Sequence, residues 1–174
     1  MQNKNKVGIN GFGRIGRYVT RLAILDPEVE IGLVNDLADI HSLMHLFKYD
    51  SVHGSFDISF EITEDTVVFS NGKSMRFSQH RDPSQIEWAK NNVTTVVECT
   101  GLFLTQTLAS EHFKGGANKV VLSAPAKDES VRTVVLGVND HTLSAEDTVI
   151  SNASCTTNNV APIVKVVKSL MDIE

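Results

Sequence analysis

Apolar residues along this chain follow two different periods. Val7-Gly8-Ile9-Asn10 is a short apolar run that suits a buried strand. After a glycine-rich turn, Ile15, Val19, Leu22 and Ala23 recur at helical spacing until Asp26-Pro27 ends the helix. Residues 30–35 (EIGLVN) predict a second buried strand, and residues 40–47 a helix with Leu43, Leu46 and Phe47 on one face. From Phe56 the pattern alternates through Ile58, Phe60 and Ile62 to Val67-Val68-Phe69, and Asn71-Gly72 gives a hairpin signal, so antiparallel decoration is predicted there. Strand patterns of parallel type return at 94–99 (TTVVEC), 119–123 (KVVLS), 133–138 (TVVLGV) and 148–151, with a helix near 105–113. A last helix is predicted from Ser154, with Val160, Ile163, Val164, Val167 and Met171 at helical spacing.

This order of elements predicts an α/β fold of the Rossmann type, a doubly wound and mostly parallel sheet carrying an antiparallel hairpin insertion. The boundary we draw lies near Ala153, separating a Rossmann-type domain at 1–153 from a helix at 154–174 that opens something further. Composition narrows the ligands. With 174 residues, 41% of them hydrophobic, the chain can bury one good core. A net charge of −5 and few clustered basic residues argue against a nucleic-acid surface or an anionic membrane. No stretch approaches the roughly 18 apolar residues of a membrane span, and the polar start MQNKNK lacks the apolar core of a signal peptide. A cytoplasmic protein with small-molecule ligands is therefore expected. Cys99 and Cys155 form no CxxC pair, and no Cys/His spacing points to a metal.

The strongest motif is Asn10-Gly11-Phe12-Gly13-Arg14-Ile15-Gly16. Gly11 permits the tight turn, Gly13 lets the backbone approach a pyrophosphate, and Gly16 lets the helix pack close to the strand. The unpaired amides and positive dipole end of the helix then favour the anion without a basic side chain. GxGxxG alone is a weak signal, but here it follows a strand, opens a helix and is answered by Asp36 about twenty residues on. A carboxylate there can accept both ribose hydroxyls of NAD and would repel the extra phosphate of NADP, so NAD is the expected cofactor.

A second signal is Ser151-Asn152-Ala153-Ser154-Cys155-Thr156-Thr157-Asn158-Asn159, which places a thiol in the first turn of the last helix. Helix N-terminal amides stabilise a thiolate, and a carbonyl is the natural target of that nucleophile. Cys99 lies in the apolar run Val96-Val97-Glu98-Cys99 and fits a small packed side chain instead. A nucleophilic cysteine normally relies on a histidine base, yet His41, His45, His53, His80, His112 and His141 all precede Cys155 and none stands out by spacing.

Assembled, VGINGFGRIGR at 7–17, YDSVHG at 49–54, Arg81-Asp82-Pro83, Glu98-Cys99-Thr100-Gly101, Ser123-Ala124-Pro125-Ala126 and SNASCTTN at 151–158 closely resemble the glyceraldehyde-3-phosphate dehydrogenase family, in its order and over nearly the whole chain. The resemblance implies a thiohemiacetal between the cysteine and the aldehyde glyceraldehyde 3-phosphate, hydride transfer to NAD, and attack of inorganic phosphate on the resulting thioester. It assigns Cys155 as nucleophile and Gly11, Arg14, Ile15, Asp36, Arg81, Thr100 and Ser123 as cofactor contacts, with Phe103 beside the adenine and Ser154 and Thr156 at a phosphate site. It also implies a homotetrameric parent. Three positions depart from the family's pattern: Asn159 stands where a second Cys is frequent, His80 where an acidic residue is usual, and Glu87 where a proline often precedes Trp88. In the family the catalytic His, the substrate-binding Arg and an Asn near the nicotinamide follow the cysteine helix. The expectation is therefore a cofactor-binding domain plus the first helix of the catalytic domain, nearly inactive alone. Two rival readings are a stand-alone NAD-binding or interaction module without chemistry, and an enzyme acting on another phosphorylated aldose such as erythrose 4-phosphate.

Overall fold

The computed structural model describes residues 5–172, so the polar start at Met1 to Lys4 and the last two residues lie outside the described region. The chain runs β1 (Asn5–Asn10), α1 (Arg14–Leu25), β2 (Val29–Asn35), α2 (Ile40–Lys48), β3 (Tyr49–Asp50), β4 (Gly54–Ser55), β5 (Phe60–Thr63), β6 (Thr66–Phe69) and β7 (Ser74–Ser78). It continues with β8 (Thr95–Glu98), α3 (Gln106–Ala109), β9 (Lys119–Leu122), β10 (Arg132–Thr133), β11 (Val149–Ser151) and α4 (Cys155–Leu170). Short 3-10 turns lie at Pro83–Gln85, Ala89–Asn91, Ser110–Gly115 and Asp140–Thr142.

Nine strands form one sheet in the order β10-β11-β9-β8-β1-β2-β7-β6-β5. Every pair from β10 through β7 is parallel, while β6 runs antiparallel to both β7 and β5. The predicted hairpin turns at Asn71-Gly72, with Gly72 at φ +85°. The hairpin is more than decoration, because its returning strand β7 pairs in parallel with β2, Leu33 opposite Arg76 and Asn35 opposite Ser78. A separate pair, β3 with β4, forms a small antiparallel ribbon.

The sheet is covered on both faces. Consecutive strand residues point to opposite sides, and Val96 belongs to one apolar cluster while Val97 packs against the other. The first cluster gathers Ile9, Phe12, Ile24, Val34, Met44, Phe47 and Phe69 under α1 and α2. The second gathers Ile86, Trp88, Val93, Val120, Leu122 and Val149.

Two expected elements are shorter than their patterns. The helix near 105–113 is α-helical only over α3, then tightens into the 3-10 turn. There the Ser110 hydroxyl donates back to the Gln106 carbonyl at 2.7 Å, and Gly115 sits so close to the Ile86 carbonyl that a Cβ would meet it at 2.0 Å. The strand at 133–138 shrinks to β10 because the Asn139 side chain takes over its backbone partners, donating to the Thr133 carbonyl at 3.0 Å and accepting from the Val135 amide at 2.7 Å.

Candidate functional site

The C-terminal ends of parallel strands are where an open α/β sheet receives ligands. At the ends of β1, β2 and β8 a cleft of about 310 Å³ is lined by Gly11, Gly13, Asp36, Arg81, Thr100 and Phe103, together with Asn10, Asn35, Leu37, His80, Cys99 and Leu102. Six predicted cofactor residues from separate stretches of sequence thus meet in one place.

The three glycines have separate jobs. Gly11, at φ +91°, donates its amide to the Asn35 carbonyl at 2.8 Å, and a Cβ there would lie 2.8 Å from the Thr100 nitrogen. A Cβ on Gly16 would lie 2.1 Å from the Gly11 carbonyl oxygen, so helix and turn touch only because it is absent. A Cβ on Gly13 would meet nothing within 4 Å: that side of the turn faces open space.

Helix capping marks the same place. Asp39, Thr105 and Ser154 each cap their helix with a side-chain oxygen, whereas α1 is preceded by Gly13 and has no side-chain cap. The first-turn amides of α1 are therefore left for a ligand, and the positive end of the helix favours an anion. Gly13's open side and these uncapped amides fit the pyrophosphate of a dinucleotide. Asp36, just past β2, accepts from the Phe12 amide at 2.7 Å through Oδ2 and from the Ala38 amide at 3.0 Å through Oδ1. The carboxylate thus ties the glycine turn to the end of β2 and keeps free lone pairs for ribose hydroxyls.

The remaining predicted residues lie outside the cleft lining. Arg14 and Ile15 are exposed at the start of α1. Ser123 follows β9 and hydrogen-bonds the Cys99 thiol, which burial pushes up to about 12. Cys155 is the first residue of α4 and exposed. Two residues before it, Ala153 is buried in the left-handed region at φ +59°. Ser154 accepts from the Thr157 amide at 3.0 Å, and its hydroxyl lies 2.9 Å from that of Thr156. Ser154 is thus first of all the helix cap, while Thr156 lines a groove along α4 with Val160, Val164 and Lys165. Among the described residues no histidine hydrogen-bonds Cys155: His53 stacks on Tyr18, His45 lies against Tyr49 and His112 is held by Trp88 and Glu98.

Sequence reasoning missed a belt of buried polar side chains under the cleft. Asn10 donates to Glu98 at 2.6 Å and accepts from Asn35 at 2.9 Å, and Asn35 in turn is bound by both the amide and the carbonyl of His80. The visible signals were Asn at the C-terminal ends of two apolar strands and a Glu inside the run TTVVEC.

A glycine turn on an uncapped helix, answered by a carboxylate just past the next parallel strand, defines a dinucleotide-binding domain of the Rossmann type. Comparison with known proteins makes this specific. The profile described as the NAD binding domain of glyceraldehyde 3-phosphate dehydrogenase matches residues 5–106. Glyceraldehyde-3-phosphate dehydrogenase 1 of Bacillus subtilis is 49% identical over 170 residues, 97% of this chain and 50% of that protein. The cytosolic glyceraldehyde-3-phosphate dehydrogenase of Leishmania mexicana is 50% identical over 93% of this chain and 48% of its own length. A chloroplastic glyceraldehyde-3-phosphate dehydrogenase of Arabidopsis thaliana is 47% identical over 94% of this chain and 39% of its own. The chain belongs to the glyceraldehyde-3-phosphate dehydrogenase family and carries its NAD-binding domain. It spans about half the length of the first two relatives. Their names place them in different compartments, and no helix among the described residues is long and apolar enough to cross a membrane.

Proposed function

We propose that this chain is the NAD-binding portion of a phosphorylating, NAD-dependent glyceraldehyde-3-phosphate dehydrogenase of glycolysis, cytoplasmic and homotetrameric as a whole, and that Cys155 is its nucleophile. The observation that carries the reading is the exposed thiol at the first position of a capped helix, in a chain whose sheet edge is shaped for a dinucleotide. Gly11, Gly13 and the α1 amides hold the pyrophosphate, Gly16 lets α1 pack against the turn that presents them, and Asp36 holds a ribose. Thr100, Phe103 and Arg81 wall the cleft, with Arg14, Ile15 and Ser123 at its margins. When bound, NAD accepts the hydride that leaves the substrate carbon.

The chain's own chemistry is carried by α4. The Cys155 sulfur attacks the aldehyde carbon of glyceraldehyde 3-phosphate, a C–S bond forms, and the carbonyl oxygen takes the developing charge, giving a thiohemiacetal. Loss of hydride leaves a thioester, which inorganic phosphate attacks to release an acyl phosphate and return the thiolate. Ser154 and Thr156 offer hydroxyls beside the sulfur for the oxyanion or phosphate. Among the described residues no histidine hydrogen-bonds Cys155, and a base to move the proton is worth roughly 10²- to 10⁴-fold. We therefore assign the base to a second domain of the parent, place the boundary between 1–153 and 154–174 at Ala153, and expect this chain alone to turn over slowly.

Calorimetric titration with NAD and NADP tests the cofactor half. NAD should bind well and NADP weakly, and Asp36→Ala should lose about 10- to 100-fold in NAD affinity, as the loss of charge-assisted hydrogen bonds implies, along with the preference itself. Equal binding of the two cofactors by the unaltered chain would refute the assignment. In the full-length parent, Cys155→Ser should cut turnover by at least roughly 10³-fold while NAD affinity stays unchanged.

A further inference from the structure

Glu98 is a fully buried carboxylate that the proposed reaction does not use. Its Oε2 accepts from Asn10 Nδ2 at 2.6 Å and faces His112 Nε2 at 3.0 Å. Its Oε1 accepts from the Thr100 amide at 2.7 Å and from the Thr100 hydroxyl. That hydroxyl itself accepts from the Leu102 amide at 3.1 Å. One carboxylate therefore fixes the turn at residues 100–102, which lines the cleft directly beside the glycine turn.

The directions of these bonds are set by members that can act in only one way. The Trp88 indole nitrogen is solely a donor, and it meets His112 Nδ1 at 3.1 Å. His112 Nδ1 must accept, so its Nε2 carries the proton and donates to Glu98. At the far end the His80 amide and carbonyl fix the Asn35 amide group, and Asn35 fixes Asn10 so that its nitrogen points at Glu98. Both ends of the chain thus deliver donors to Oε2, while the Thr100 amide delivers another to Oε1, so only a group that accepts at both oxygens fits here. A Gln at this position could keep its carbonyl oxygen toward His112 and Asn10, whose directions are fixed, but would then set its NH₂ group against the Thr100 amide, which can only donate. His112 also packs edge-on against Phe103, another wall residue, at 6.2 Å between ring centroids.

We propose that Glu98 is a positioning residue for the dinucleotide, holding the 100–102 turn at the spacing from the glycine turn that NAD requires, and that Trp88 and His112 are mechanically joined to the cleft through it. The proposal rests on the NAD assignment above. It predicts that occupancy of the cleft is felt at Trp88, a fully buried residue outside the cleft lining and the chain's only tryptophan.

The test pairs calorimetry with the single indole N–H resonance in a ¹⁵N-labelled chain. Saturating NAD should shift that resonance in the unaltered chain. Glu98→Gln should displace it without ligand and weaken NAD binding by about tenfold or more, the scale of a hydrogen bond to a charged group. Phe69→Leu, which loosens the apolar cluster on the other face, serves as the stability control and should leave both the resonance and the affinity within twofold of the unaltered chain. A folded Glu98→Gln that binds NAD within twofold of the unaltered chain overturns the proposal. So does an indole resonance unmoved by bound NAD, a result that needs no variant to fold. An unaltered chain that binds no NAD overturns the cofactor reading and this proposal with it, whereas NAD binding with a silent Trp88 overturns this proposal alone.

Discussion

Two helix N-termini in this chain solve opposite problems. The 12-residue α1 starts without a side-chain cap and buries Gly16, Thr20, Arg21, Ala23 and Ile24. The 16-residue α4 is capped by Ser154 and buries none of its residues. Where backbone amides are themselves the binding groups, a capping oxygen would compete with the ligand, so the cap is omitted and the helix is held by its buried face. Where a side chain is proposed to carry the chemistry, the cap is kept and fixes the first turn on which Cys155 sits. On the proposed assignment, the uncapped glycine start serves recognition by main chain, and the capped start serves the thiol at its first position.

The sharpest way to break that contrast is at the two cysteines. Cys99 remains a thiol until about pH 12, chiefly through burial. At pH 8 such a group is about 10⁻⁴ thiolate, against roughly a quarter for an unperturbed cysteine. Alkylation followed by mass spectrometry should therefore label Cys99 at least about 10³-fold more slowly than an ordinary free thiol, with the rate rising tenfold per pH unit up to pH 11. Cys155→Ser should abolish the fast phase. A fast phase that survives in Cys155→Ser would mean that Cys99 is reachable and the contrast between the two sites is wrong.

Next in size is the division of labour among the glycines of the uncapped end. Gly16→Ala forces a Cβ to within 2.1 Å of the Gly11 carbonyl, a backbone atom that cannot step aside, and should cost about 3 kcal/mol in urea unfolding. Gly13→Ala meets no protein atom within 4 Å, so stability should fall by no more than about 1 kcal/mol, while NAD affinity falls because the new methyl occupies ligand space. If both variants lose stability equally, the open side of Gly13 is not a ligand face.

Much of this was legible along the chain. The apolar runs that became β1, β2, β8 and β9 were plain because a parallel strand covered on both faces is apolar almost throughout. Asp36 was legible because its distance from the glycine turn is set by one βαβ unit. The boundaries of β10 and α3 were not, since the side chains of Asn139 and Ser110 bond backbone groups that propensity assigns to a ladder or a helix. The polar belt was hidden for another reason: Asn10 and Glu98 lie 88 residues apart, and Trp88 and His112 lie 24 apart. A charge inside TTVVEC signals that partners must exist, but only the folded sheet says which they are.

The smallest effect probes the capped end alone. Ser154→Ala removes the oxygen that accepts from the Thr157 amide, a loss worth about 1 kcal/mol in a helix. Because α4 buries no residue, that energy is not shared with the sheet, and it should surface as local opening rather than global unfolding. The urea midpoint should stay within error of the unaltered chain, while amide exchange in the first turn of α4 should quicken about fivefold, the Boltzmann equivalent of that loss. Ser154→Gly should show only a fraction of this, since glycine is nearly as good at a helix start. A full shift of the urea midpoint in Ser154→Ala would show that α4 and the sheet unfold as one unit, and the thiol would then sit on a helix as firmly anchored as α1.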